Sequence, residues 1–194
     1  QCFVLLKFNV IKVIKVIIIT LITTFLLTNV SIAKTVSLTS SNPWKTWKKS
    51  KNLSVSSRVS TIDKLTEIKV TALVNSSLSG FLLFIQDVKN TPAWLANASK
   101  SEVIKQLSAN ENIFTVNFSA IWPLKPRHLQ LHSVYWQNDD LSVEIQLKDD
   151  FSLDIKNSNS VRVKFYNGHW LLIPTVNNQQ QKQLKVEYTF IADS

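Results

Sequence analysis

The sequence is poor in residues that cross-link, bind soft metals or make glycine turns: its 194 residues include one cysteine, two glycines, three histidines and no methionine. The lone cysteine is Cys2, so no disulfide can form within the rest of the chain, which must be held by its core even in an oxidising compartment. With only His128, His132 and His169 besides, a zinc centre has few soft ligands to use. His128 and His132 fall in an alternating stretch, and as strand residues they stand ~13 Å apart by the rise per residue, too far to share an ion. No G-x-S-x-G, Cys-His or H-E-x-x-H pattern occurs, which removes the recognisable nucleophile and metalloprotease motifs. No repeat of fixed period is present. The 22 basic residues outnumber the 13 acidic ones. They form neither an arginine cluster suited to base edges nor a basic strand interleaved with aromatics, so nucleic acid is not an expected partner.

What is present begins with an apolar run. Lys7, Lys12 and Lys15 precede the stretch Val16 to Leu27, and Ser31-Ile32-Ala33 follows. A basic region, an apolar segment of this length and a small-x-small triplet predict a signal peptide cleaved after Ala33, and hence a periplasmic or secreted protein. The alternative is an uncleaved membrane anchor, which needs about 20 apolar residues, more than this run supplies. Residues 34–194 then form one domain. Lys45, Lys48, Lys49 and Lys51 crowd its start, a solvated basic face for which an anionic membrane surface is the expected transient partner.

Hydrophobic periodicity predicts a sheet with few helices. Asn42-Pro43 caps a short helix carrying Trp44 and Trp47. Strands follow at Leu53 to Val59 and Ile68 to Val74, joined by a turn at Asp63-Lys64. Asn75-Ser76-Ser77 caps a helix whose apolar face is Leu78, Phe81, Leu82, Ile85 and Val88, with Phe84 widening the arc and Gly80 marking a close backbone approach. Further strands are expected at Val103 to Leu107, Ile113 to Ser119, Leu129 to Trp136 and Leu141 to Leu147. The closing stretch alternates at Val161, Val163 and Phe165, again at Trp170 and Leu172, and again at Val186, Tyr188 and Phe190. Asn167-Gly168 predicts a type I′ turn folding His169 to Ile173 back on Val161 to Tyr166, with Pro174 marking the return. The whole reads as an α+β domain built on one large antiparallel sheet. With Gln1 first and nothing after Phe190 to cover the sheet, the chain is expected to be cut short at both ends.

In this order the motifs resemble a START-type lipid-transfer domain in its bacterial, secreted form. Trp44 to Arg58 is similar to that family's opening helix and first strand, and Ile68 to Val88 to its strand-to-helix step. Asp87-Val88 through Trp94 is similar to its Asp-Val and Trp loop. Trp122-Pro123-Leu124-Lys125-Pro126-Arg127-His128 is similar to its Trp-Pro…Arg-Asp bend, and Val161 to Ser194, with Gly168-x-Trp170 and Pro174, to its closing strands. Here His128 replaces the family's aspartate, so no role of that carboxylate carries over. The resemblance implies a helix-grip fold: a large curved antiparallel sheet with a short N-terminal helix, a helix after the second strand, and a long C-terminal helix that this chain stops short of. It also implies a monomer that needs no cofactor and binds a lipid or other hydrophobic molecule.

The residues themselves point to the same site. Phe118, Leu131, Val143, Ile145, Phe165 and Tyr188 face inward, as pocket lining or as ordinary core. Arg127 is a candidate to orient a ligand carboxylate or phosphate, or else a surface residue or partner of a nearby aspartate. Trp94 and Trp122 are flaps at a mouth or plugs in a core. The rival reading is a cyclase- or hydrolase-like enzyme, for which His132 with Glu144 is the one acid–base pair that can be assembled. A third is an envelope interaction protein without a ligand.

Overall fold

The computed structural model describes residues 42–62, 64–120, 123, 125–152, 159–177 and 179–192. The signal peptide expected over residues 1–33, the turn residue Asp63, Trp122 and Ser194 lie outside them. Among the described residues no helix is long and apolar enough to cross a membrane.

Among the described residues ten strands form one sheet: β1 Lys45–Lys49, β2 Leu53–Val59, β3 Thr66–Val74, β4 Ala98–Ser108, β5 Glu111–Phe118, β6 Arg127–Gln137, β7 Val143–Asp149, β8 Val161–Arg162, β9 Phe165–Val176 and β10 Lys182–Ala192. Their spatial order is β1-β2-β3-β10-β9-β7-β6-β5-β4, with β8 beside β6. Every pairing is antiparallel except β6 with β8. The C-terminal strand β10 therefore lies between the N-terminal hairpin and the remainder. That insertion joins stretches far apart in sequence, with Leu184 opposite Val74 and Phe190 opposite Ile68.

Helix α1, Leu78–Gln86, starts where Ser77 accepts a hydrogen bond from the Gly80 N–H at 3.1 Å. A side chain at Gly80 would press on that hydroxyl, at 3.0 Å from a modest Cβ, so the close approach read from the sequence is the cap itself. A 3-10 turn, Val88–Ala93, carries the chain on to Trp94. Phe81 on α1 packs 6.3 Å from Trp170 in a tilted pair. Around it the main core collects Val55, Val70, Val74, Val143, Leu172, Leu184 and Val186. A smaller cluster, Leu131, Phe165 and Phe190, lies farther along the sheet.

Three elements depart from the sequence reading. The segment after Pro43 is not a helix: Lys45–Lys49 is an exposed edge strand on β2, with Trp47 as the bulged residue between the Thr46–Ser56 and Lys48–Val55 pairs. Two tryptophans three apart span one turn, too little to nucleate a helix, while the free edge of β2 offers backbone partners and lysines suit an edge. Trp44 instead stacks under Arg58 and Lys69, each 4.4 Å from its ring. Nor is Asn167-Gly168 a turn. β9 runs straight through it, with Gly168 between Leu147 of β7 and Phe190 of β10 and no positive φ. The reversal comes after β9, where Asn177 N–H donates to Gln181 O at 2.9 Å and Gln180 takes a φ of 59°. Pro174 sits inside β9, opposite Leu184, but β7 begins its pairing two residues earlier, at Leu172, so the missing N–H breaks no ladder bond. β7 itself starts at Val143, because Leu141 is consumed by the preceding turn with a φ of 65°.

Candidate ligand cavity

Where α1 covers the sheet the structure is solid core; beyond it lies a cavity of about 410 Å³. Strand alternation decides what faces it. From β6 come Arg127, Leu129, Leu131, Ser133 and Tyr135, and from β5 come Asn112, Phe114, Val116 and Phe118. The pairing aligns them in rows, with Phe118 opposite Arg127, Val116 opposite Leu129, Phe114 opposite Leu131 and Asn112 opposite Ser133. Leu147 of β7 continues the last of those rows, facing Ser133, and Ile145 adds another, facing Tyr135. Trp170, Tyr188 and Phe190 complete the floor as a stacked ladder, with centroids 4.0 and 5.1 Å apart. Ile85, Val88 and Trp94 close one side. Trp94 is buried and packs 5.8 Å from Phe84, so it is wall and plug at once.

Six of the eight sequence-derived candidates line this cavity: Phe118, Arg127, Leu131, Ile145, Phe165 and Tyr188. Val143 does not; it lies in the main core with Leu172, its partner across β7 and β9. Trp122 lies outside the described residues. Reading the sequence missed Phe114, Leu129, Trp170, Phe190, Asn112 and Lys125. Counting back by two from Phe118, or on by two from Arg127, finds Phe114 and Leu129. Trp170 and Phe190 needed the pairing of β9 with β10, which the expected Asn-Gly turn obscured.

Polar groups are few on this surface and two are stranded. Trp94 Nε1, a donor, and Asn112 Oδ1, an acceptor, are buried without a partner among the described residues. Burial raises the Tyr188 hydroxyl above its ordinary 10.0, which keeps it protonated and neutral. Among the described residues the charges on the lining are Lys125 and Arg127, with no aspartate or glutamate beside them.

The acid–base pair expected from the sequence is not formed. His132 binds Glu111 at 2.7 Å, and Glu144 binds His169 at 2.7 Å and Asn138 at 2.9 Å. All four carboxylate and imidazole groups belong to strand positions that alternate away from the cavity. The two residues sit on neighbouring strands, but His132 faces Lys148 and Glu144 faces Trp136, four positions apart in register.

His128 also turns from the cavity and is buried against Ser160 Oγ, 2.7 Å from its Nδ1. Burial, and then the positive Arg162 nearby, lower its pKa from the ordinary 6.5, with Asp149 opposing. Such a histidine takes a proton more readily in the unfolded chain than in the fold. Its contribution is complete above about pH 6.5 and fades as pH falls toward the lower folded value. Thermal unfolding between about pH 7.5 and 5 is expected to show a steeper acid loss of Tm for the native chain than for His128→Gln. Parallel profiles would mean that His128 titrates alike in both states.

No protein-family model and no curated protein sequence matches this chain. Its structure nonetheless has the helix-grip fold of the START-domain lipid-transfer proteins. One match is the human StarD13 (DLC2) lipid transfer and protein localization domain, at a TM-score of 0.66 and 13% identity over 78% of this chain and 75% of that one. Another is a STAR-related lipid transfer protein fragment from Xanthomonas axonopodis, at 0.62 and 18% identity over 78% and 81% of the two chains. A third is human StAR-related lipid transfer protein 5, at 0.61 and 15% identity over 96% and 83%. At these identities the likeness is one of fold.

Proposed function

We propose that this chain binds a lipid or other hydrophobic molecule in the cavity, leaves it chemically unchanged, and carries it between membranes as a monomer. The observation that carries this reading is an apolar cavity of about 410 Å³ with few polar groups, inside the 300–1,000 Å³ range of small-molecule sites. The fold neighbours are lipid-transfer proteins by description, which agrees with it. The stranded Trp94 Nε1 and Asn112 Oδ1 support an occupant with at least one polar group, since leaving a buried donor or acceptor unpaired costs about 1–3 kcal/mol. In this reading the mature chain begins after Ala33 and works in the periplasm or outside the cell. The lysines of β1, with Trp47 half exposed among them, give it a basic face for brief contact with an anionic membrane.

The test is native mass spectrometry of the gently purified mature protein, followed by organic extraction. The expected result is one bound lipid or other hydrophobic molecule per chain, recovered intact. A protein that carries nothing and takes up nothing from mixed lipid vesicles overturns the reading, and recovery of a chemically altered molecule makes it an enzyme.

A further inference from the structure

The three arginines of this chain are not treated alike. Arg58 pairs with Glu67 and lies over the Trp44 ring. Arg162 binds Asp149 Oδ1 at 2.8 Å and the Asp150 carbonyl, and lies over Phe151. The Arg127 side chain has no ion pair, hydrogen bond or ring contact with any described residue, yet it is half-buried and faces the cavity. Lys125, two residues earlier and exposed, lines the same end. Phe118 stands opposite Arg127, and beyond it the β6 row becomes apolar at Leu129 and Leu131, with Val116 and Phe114 opposite.

We infer that the ligand is an anionic amphiphile with a single acyl chain, held with its carboxylate or phosphate on Arg127 and Lys125 and its tail toward Leu131, Phe165 and Phe190. This rests on the lipid-binding reading above and specifies its ligand. Three features of the geometry lead there. A guanidinium is a planar fork whose paired N–H groups match the two oxygens of a carboxylate or phosphate, and Arg58 and Arg162 show that this chain otherwise gives its arginines acidic partners. Among the described residues the lining has two cations and no acid, a charge that an anionic occupant would balance. The polarity is also ordered along β6. The charged residues sit at its start, by the exposed Lys125; Leu129 and Leu131 follow, and the uncharged Ser133 and Tyr135, beside Asn112, end the lining eight residues on, ~27 Å at the rise of a strand. A headgroup at the wet end and a tail along the rows satisfies that order. The volume, near the lower limit for small-molecule sites, favours one chain over two.

The test is competition against Nile red, a neutral dye that reports on the apolar cavity. Hexadecanoate and hexadecyl phosphate are expected to displace it about tenfold or more tightly than methyl hexadecanoate, which has the same tail without the charge. Arg127→Gln is expected to erase that preference, bringing the affinities of the acid and of its methyl ester to within about twofold of each other. Arg127→Lys, which keeps the charge and loses the fork, is expected to fall between. Equal affinities for acid and ester, or an acid preference that survives in Arg127→Gln, overturn the inference but leave lipid binding standing. Displacement by inorganic phosphate or acetate alone overturns it in favour of a free-anion site. If neither the dye nor any amphiphile binds, the lipid-binding reading fails with it.

Discussion

Replacing Ile145 by aspartate is expected to abolish retention of a hydrophobic ligand and to lower stability by about 4 kcal/mol. Ile145 is buried where the main core meets the cavity, facing Tyr135 on one side and Trp170 on the other. Neither neighbour offers a charge to pair with a carboxylate. An ionised group there loses its hydration without compensation, and the acid responds by a raised pKa. The sign of the pH dependence follows. Because the folded pKa lies above the unfolded one, the stability gap to the native chain narrows as pH falls and the neutral acid is tolerated. Urea unfolding at about pH 7.5 and 5 measures this. A variant that fails to fold says nothing of binding, so the companion is Leu129→Asp, at a half-buried wall position outside the main core. It is expected to fold and to come off purification without lipid. Lipid at native stoichiometry on a folded Leu129→Asp would mean that the cavity is not where the ligand sits.

Much of the fold could be read from local pattern, and the failures share one cause. β2 has the expected bounds, Leu53–Val59, because its alternation is uninterrupted and both ends carry turn residues. The cap of α1 was legible because three polar residues precede a clean helical stripe. β1 and the Asn167-Gly168 segment were misread because their conformation is imposed by distant partners. The N-terminal segment becomes a strand when β2 presents an open edge, and Asn-Gly is pulled straight by β7 and β10 on its two sides. Local signals lose to ladder hydrogen bonds when the strands on either side are long.

The cavity was legible in outline for a different reason. Any inward-facing apolar residue is a fair candidate, and six of the eight chosen face the cavity. What separates Val143 from Ile145, two residues along the same strand, is the position of α1 above the sheet. Alternation assigns both to one face and cannot say which part of that face is covered. The same limit applied to charge. Arg127 stood out in the sequence with alternatives open, and its side chain's lack of a partner among the described residues emerged only once Asp149 and Glu67 were seen to be engaged by Arg162 and Arg58.

Gly168→Ala is expected to destabilise the fold by about 1–2 kcal/mol and to weaken ligand binding about tenfold, although the position is an ordinary extended one. A β-carbon there would stand 2.6 Å from Phe165 Cζ, 2.9 Å from Cε1 and 3.3 Å from Leu147 Cβ. With φ outside the left-handed region, alanine meets no backbone penalty and gains slightly from a less flexible unfolded chain, so the loss is steric. The ring must give way, and Phe165 is buried against Leu131 and Phe190 on the cavity wall. The open side is the cavity itself, so relief of the clash moves the ring into the ligand's space. Phe165→Leu in the same chain removes Cζ and Cε1 and is expected to return most of the stability, a coupling that independent sites would not show. Calorimetry on the two single variants and the double variant measures it, with Nile red uptake as the readout of cavity space. If Gly168→Ala matches the native chain in both, the ring is free to move elsewhere. The expected result explains why a glycine follows Asn167 in the middle of a twelve-residue strand: it makes room for an aromatic ring, and no turn is needed.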